Sequence, residues 1–178
     1  MDGTLLQQLM GHHGKIMCVA WSPNGSQLAS CGGSDSGGEL FAWDPQRGES
    51  VNVFGEHPRI IHAIAWASDR LLICGGEDGK LKWWNVESDE LLWVIDAHHG
   101  TVLSLKRSPD GTKLASCGDD GEIRIWDLAT GEHLQTLRRD RPYERLNISG
   151  IKGVTEAQKA TLRALGAIEE MINGPNKG

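Results

Sequence analysis

The residues of this chain that could do chemistry are histidines, serines, aspartates and cysteines set at repeating intervals. His12, His57 and His98 each head a similar stretch, and the third stretch also carries Ser116 and Asp120. A serine, a histidine and an aspartate together suggest a hydrolytic triad, in which the imidazole takes the proton of the attacking hydroxyl. The doublets His12-His13 and His98-His99 raise metal ligation. Adjacent side chains on a strand point to opposite faces, so one doublet does not supply two ligands to one ion. Gly32-Gly33-Ser34-Asp35-Ser36-Gly37-Gly38 is glycine-rich enough to suggest a phosphate loop. No Lys-Ser/Thr pair and no helical pattern follow it, which favours a long turn between two strands. The four cysteines, Cys18, Cys31, Cys74 and Cys117, show no CxxC or CxH spacing and read as small buried strand residues with reduced thiols.

The elements that must hold these residues are short strands. Val102 to Leu105, Leu114 to Ser116, Ile123 to Trp126 and His133 to Leu137 are apolar runs. Pro109-Asp110-Gly111, Asp120-Gly121 and Thr130-Gly131 separate them and supply the fixed or positive φ of tight turns. The same order occurs twice more upstream. One copy runs from His57 through Ile64-Ala65-Trp66, Leu72-Ile73-Cys74, Asp78-Gly79 and Trp83-Trp84-Asn85 to Leu91 to Ile95. The other runs from His12 through Val19-Ala20-Trp21, Leu28-Ala29-Ser30 and Phe41-Ala42-Trp43-Asp44 to Val51 to Phe54. Trp43, Trp84 and Trp126 are separated by 41 and 42 residues.

A histidine before the first strand, Trp-Asp or Trp-Asn after the third, and this period resemble the WD repeat, the four-stranded blade of a β-propeller. The resemblance covers most of residues 1–137 and implies an all-β, partial propeller: three four-stranded blades at 11–54, 55–95 and 96–137. Leu5 to Leu9 align with the outer strand Leu91 to Ile95, so residues 1–10 are expected to form a leading fourth strand whose own blade is missing. The family implies a structural hydrogen-bonded set, complete in the third repeat as His98, Ser116, Asp120 and Trp126. The corresponding residues are His12, Ser30 and Trp43 in the first repeat, where the inserted loop leaves the acidic partner open. In the second they are His57, Asp78 and Trp84, with Cys74 replacing the hydroxyl. By the same resemblance, partners bind at one end of the ring. The residues there are Lys15, Met17, Arg59, His62, Glu77, Thr101, Leu103 and Asp119, with exposed Met17, His62 and Leu103 as an apolar centre and the charged groups as a rim.

Residues 138–178 differ in composition. Arg138 to Pro142 reads as a charged connector, and Leu146 to Gly150 as a short extended piece. Thr155-Glu156-Ala157-Gln158 has the form of a capping box, predicting a helix to about Ile172 that stops at Asn173-Gly174-Pro175. Gln158, Thr161, Leu162, Leu165, Ile168 and Ile172 would share one face, opposite Glu156, Lys159, Arg163 and Glu170, as in an amphipathic helix docking on protein. Arg141 through Ala167 also resembles tails that follow WD repeats in bacterial multidomain signalling ATPases.

Charge separates the function classes. Residues 1–137 hold 10 basic and 19 acidic groups, which argues against a nucleic-acid groove; residues 138–178 hold 8 and 5. No run approaches the ~18 apolar residues of a membrane helix, and no signal peptide is legible, so a soluble, cytoplasmic chain is expected. The reading is a protein-interaction scaffold or sensor module, not an enzyme, needing no cofactor or metal. Its partner would be a protein, with further blades or self-association completing the ring. The rival readings are a propeller hydrolase using His62, Asp119 or the histidine doublets, and nucleic-acid binding through the basic tail.

Overall fold

A computed structural model describes residues 3–55, 57–138, 143 and 146–169. The connector Arg139 to Pro142, the helix-face residues Glu170 and Ile172, and Asn173-Gly174-Pro175 lie outside the described residues. The chain divides into two compact units, Met1–Leu137 and Arg138–Gly178.

The first unit is three antiparallel sheets of four strands, each in sequence order. They comprise β1 (Lys15–Trp21), β2 (Leu28–Ser34), β3 (Gly37–Asp44) and β4 (Glu49–Val53); β5 (Ile61–Ser68), β6 (Leu71–Gly76), β7 (Lys80–Asn85) and β8 (Glu90–Asp96); and β9 (Val102–Arg107), β10 (Lys113–Gly118), β11 (Glu122–Asp127) and β12 (His133–Arg138). Gly79 and Gly121 take φ of 69° and 78° in the turns between the second and third strands, where a side chain would be strained. Residues 3–10 form no strand. A strand needs a ladder, and all three sheets already hold four strands.

Sheet stacking follows the two-residue alternation of side chains. Ile64, Trp66, Leu72, Cys74 and Trp84 of the second sheet pack on Ala29, Cys31, Leu40 and Ala42 of the first. Ala63, Ala65, Ile73, Leu81 and Trp83, the intervening residues, pack on Val102, Leu105, Leu114 and Trp126 of the third. The middle blade is therefore buried on both faces. Trp66 Nε1 donates to Ala20 O at 2.9 Å and Asn52 Nδ2 to Val86 O at 2.7 Å, tying the first two blades by hydrogen bonds as well.

The end faces differ. Val19, Ser30, Phe41 and Val53 are successive register partners and so share the outer face of the first sheet. Val19 and Val53 are more than half exposed, as is Trp21. Phe41 and Trp43 are buried; His12 packs edge-on against Phe41 with ring centroids 4.5 Å apart, and Gly11 lies against Trp43. On the third sheet Ile123, the register partner of Cys117, is exposed.

The second unit contains α1 (Glu156–Ala164), opened by the expected capping box: Thr155 Oγ1 accepts from Gln158 N, and Gln158 Oε1 accepts from Thr155 N. The helix ends well short of Ile172. Gly166 adopts φ 105°, and Gly166 N and Ala167 N donate back to Arg163 O and Leu162 O, closing the helix. The chain then turns so that Ile168 N donates to Leu146 O and Ile148 N to Ile168 O, a short parallel pairing. Leu165 is half-buried, Ile168 is exposed, and no residue of α1 is fully buried. Ile148 and Ala167 are the buried apolar residues of this unit among the described residues. No described helix is long and apolar enough to cross a membrane.

Candidate interaction site

Each blade begins with a loop histidine, and in two blades that histidine is locked. In the third repeat His98 Nδ1 lies 3.0 Å from both Asp120 oxygens and Nε2 lies 2.8 Å from Ser116 Oγ, while Trp126 Nε1 donates to Ser116 Oγ at 2.8 Å. The hydrogens follow from the inventory. Indole only donates and a carboxylate only accepts, so a neutral His98 gives its Nδ1 proton to Asp120 and accepts the Ser116 hydroxyl proton at Nε2. Burial would raise the Asp120 carboxyl, but hydrogen bonds from His98, Glu122 N and His99 N outweigh it and hold it below the usual range. Only glycine fits at 118, since a Cβ there would come 2.6 Å from His98 Nδ1.

The first repeat builds the same set with a different acid. His12 Nε2 lies 2.6 Å from Ser30 Oγ, which accepts from Trp43 Nε1 at 2.7 Å. His12 Nδ1 lies 3.0 Å from Glu39 Oε2. Glu39 also accepts from His13 N and Gly14 N, and these bonds overcome burial to bring its carboxyl down to about 2. Counted back from the third-strand tryptophan, Glu39 is at the place of Glu122, not Asp120. Its extra methylene reaches the histidine that the loop insertion had separated from any aspartate.

In the second repeat no hydrogen bond joins His57, Asp78 and Trp84 among the described residues, although the rings of His57 and Trp84 lie 5.3 Å apart. Neither ring nitrogen of buried His57 has a hydrogen-bond partner among the described residues. Asp78 instead binds Lys82 Nζ at 2.6 Å and accepts from Lys80 N. Trp84 Nε1 has no hydrogen-bond partner of ordinary geometry among the described residues, and the Cys74 thiol at the serine position is a weak acceptor in place of a hydroxyl. Burial, then the charge of Lys82, push the His57 ring down to about 4 against the opposing pull of Asp78.

The triad likeness ends at access. Ser116 is 1% exposed, and its oxygen is already engaged by Trp126 and His98. A substrate carbonyl has no path to it, so the set fastens loop to strand. Among the described residues no group of three or more His, Cys, Asp or Glu side chains is arranged to hold a metal ion.

The residues expected at the partner-binding end share a feature the sequence did not reveal. Met17, His62 and Leu103 each fall at a register shift of the first strand, between Ile16 and Cys18, between Ile61 and Ala63, and between Val102 and Ser104. All three are five residues past the loop histidine. A bulge leaves one residue out of the ladder and re-aims its side chain. Because β1, β5 and β9 are neighbours, the three bulges lie at one end of adjacent strands. Lys15 pairs with Gly33 there, Glu77 N donates to Ile60 O, and Asp119 N to Thr101 O. Met17, Leu103, Lys15, Arg59, Glu77 and Asp119 are exposed; Thr101 is half-buried. His62 is not an exposed apolar centre. Its ring is half-buried, with Nε2 3.8 Å from Glu77 Oε1.

Stacked four-stranded antiparallel blades, each carrying a loop histidine and a third-strand tryptophan and two of them a second-strand serine, define a β-propeller of the WD-repeat class. The chain belongs to that family: the WD domain, G-beta repeat pattern matches residues 3–44, 48–85 and 89–127. It is 30% identical over 155 residues to the WD repeat-containing protein WDS homolog of Arabidopsis thaliana, covering 82% of this chain and 28% of that protein. It is 33% identical over 132 residues to the small ribosomal subunit protein RACK1y of Oryza sativa subsp. japonica, covering 70% and 38%. The solved structure of U3-55K superposes with a TM-score of 0.65 at 23% identity over 74% of this chain and 41% of that one, a likeness of fold. The chain thus spans well under half the length of the relatives it matches.

Proposed function

We propose that this chain is a binding module, a protein-interaction scaffold or sensor, whose partner engages the bulged ends of β1, β5 and β9. The observation that carries this is the repeated bulge at Met17, His62 and Leu103. Three extra residues at one repeat position leave the ladders at one end of neighbouring strands, in the stretches that also hold Lys15, Arg59, Glu77 and Asp119. Such a mixture of apolar and charged groups matches the anatomy of a protein interface. The partner is a protein, not nucleic acid or a membrane surface, in keeping with the excess of acidic groups in residues 1–137. Similarity to a named ribosomal-subunit protein supports a role inside an assembly.

The same proposal extends to context. The open outer faces at Val19, Trp21 and Val53, and at Ile123, are apolar surface of the kind that the middle blade buries on both sides. Further blades, of a longer chain or of another copy, would cover them. The likeness of the tail to those of bacterial signalling ATPases supports the C-terminal part of a larger, cytoplasmic signalling protein. Cross-linking in native extract, followed by binding of the identified partner to purified protein, tests the site. Substituting Met17, Arg59 and His62 together abolishes capture while the melting temperature stays within a degree or two of the parent. Capture that survives this change but is lost on deleting residues 138–178 moves the site to the tail, and hydrolysis in a broad substrate screen would replace the scaffold reading.

A further inference from the structure

Three of the four thiols meet where the first blade packs on the second. Cys18 of β1 and Cys31 of β2 are direct register partners and therefore point to the same side of the sheet. Cys31 and Cys74 belong to the interblade core, with Cys18 packed against it. Opposed residues of an antiparallel pair have Cα atoms about 4.5–5.5 Å apart, inside the range of about 4.4–6.8 Å that a disulfide spans. All four cysteines are free.

We infer that Cys18 and Cys31 are a peroxide-oxidisable pair: a hydroperoxide oxidises Cys18, and Cys31 resolves it as a cross-strand disulfide. Their environments divide the roles. The neighbouring Cys31 thiol outweighs burial and brings Cys18 down to about 6, with help from the backbone at Ile64 and the charge of Lys106. The neighbouring Cys18 sulfur, then burial, pushes Cys31 far up, so its proton stays on until a base is produced beside it. Cys18 is half-exposed and Cys31 buried, so the peroxide meets the thiolate first. The Cys18 thiolate attacks one peroxide oxygen, the O–O bond breaks, and Cys18 becomes a sulfenic acid with release of hydroxide. Hydroxide removes the Cys31 proton as water. The Cys31 thiolate then attacks the Cys18 sulfur, the S–O bond breaks, and a second hydroxide leaves. Two thiols are oxidised by two electrons and one hydrogen peroxide is reduced to the level of water.

The molecule contains its own control. Cys117 holds the repeat position of Cys31, yet its register partners are Ser104 and Ile123, so it has no thiol opposite. The test treats the whole chain with a small excess of hydrogen peroxide at neutral pH and maps peptides by mass spectrometry without reduction. The expected product is a Cys18–Cys31 linkage, removed by dithiothreitol, with Cys18 consumed at least roughly ten-fold faster than Cys117. Cys31→Ser should leave Cys18 as a sulfenic acid that dimedone traps, and Cys18→Ser should leave Cys31 unmodified at the same dose. Equal consumption of Cys117 and Cys18 in the parent, a Cys31–Cys74 linkage in place of Cys18–Cys31, or thiols that all stay reduced would each overturn the inference. The parent measurement decides the matter even where a variant folds poorly.

Discussion

Glu39 Oε2 lies 3.0 Å from His12 Nδ1, the place that Asp120 takes against His98 in the third repeat. The substitution of one acid for the other is a matter of reach. Glu39 is rooted on β3 two residues nearer the tryptophan, and it spans the difference while also accepting from His13 N and Gly14 N.

Glu39→Gln should therefore destabilise the first unit by about 1–3 kcal/mol, because an amide offers a single oxygen where the carboxylate accepts from several donors. Urea unfolding at neutral pH measures it. The pH sign is fixed by the depressed carboxyl. Glu39 sits at about 2 in the fold against 4.5 ordinarily, so its contribution is complete above about 4.5 and is lost as pH falls toward 2. The variant should lack that part of the acid limb; an acid limb identical to the parent's counts against the assignment.

Cys74→Ser is expected to raise stability, by about 0.5–1.5 kcal/mol. A hydroxyl at 74 can accept from Trp84 Nε1 and donate to His57, two buried groups that lack partners of ordinary geometry. The indole N–H resonance of Trp84 should move toward those of Trp43 and Trp126. A loss of stability would mean that Cys74 serves packing in the interblade core more than its sulfur fails as an acceptor.

Acidification should first weaken the protein through His57. Its ring is held at about 4 in the fold against 6.5 when free, so the unfolded chain binds the extra proton first. Stability is full above about 6.5, declines as pH falls to about 4, and changes no further from this group below that, a loss on the order of 3 kcal/mol at most. His57→Phe should flatten the decline between pH 6.5 and 4 in urea titrations at successive pH values.

Periodicity explains what could be read from the sequence. The tryptophan spacing, the Asp-Gly turns and the set His98, Ser116, Asp120 and Trp126 are repeated signals, so the blades and one full hydrogen-bonded set were legible. Glu39 was missed because counting forward from His12 crosses the inserted Gly-Gly loop; counting back four residues from Trp43 reaches it. The helix end was missed because Leu165, Ile168 and Ile172 continue an apolar period, while the stop depends on the positive φ of Gly166. The separation of His57 from Asp78 turns on Lys82 taking the carboxylate at 2.6 Å, a competition that no spacing records. The bulges at Met17, His62 and Leu103 left no mark either, since one extra residue in a short strand does not disturb its apolar pattern.

Gly166→Ala tests the tail as a unit of its own. A Cβ at φ 105° is strained, so the helix stop should weaken and, with it, the pairing of Leu146 and Ile148 with Ile168. The cost is expected to be about 1 kcal/mol or somewhat more, larger than that of an alanine in place of half-buried Leu165 on α1's C-cap if the turn governs the fold of this unit. Amide hydrogen exchange at Ile148 and Ile168 reads the effect directly, and unchanged protection there would show that the turn is not what holds the pairing.

The last expectation concerns the open faces. Val19 and Val53 lie on the outer side of the first sheet, in line with Ser30 and Phe41, and Trp21 is 58% exposed at the end of β1. The opposite sides of these same sheets bury their alternate residues against the middle blade, so an outer face of similar composition gains by being covered: roughly 25 cal/mol for each Å² of apolar surface removed from water. Light scattering of the whole chain should accordingly report species larger than a monomer, with binding of a hydrophobic dye. Val19→Lys combined with Val53→Lys should suppress both while leaving the melting temperature nearly unchanged, because both side chains are already in solvent. A parent that is a monodisperse monomer and binds no dye would mean that these faces need no cover, and the case for further blades would fall with it.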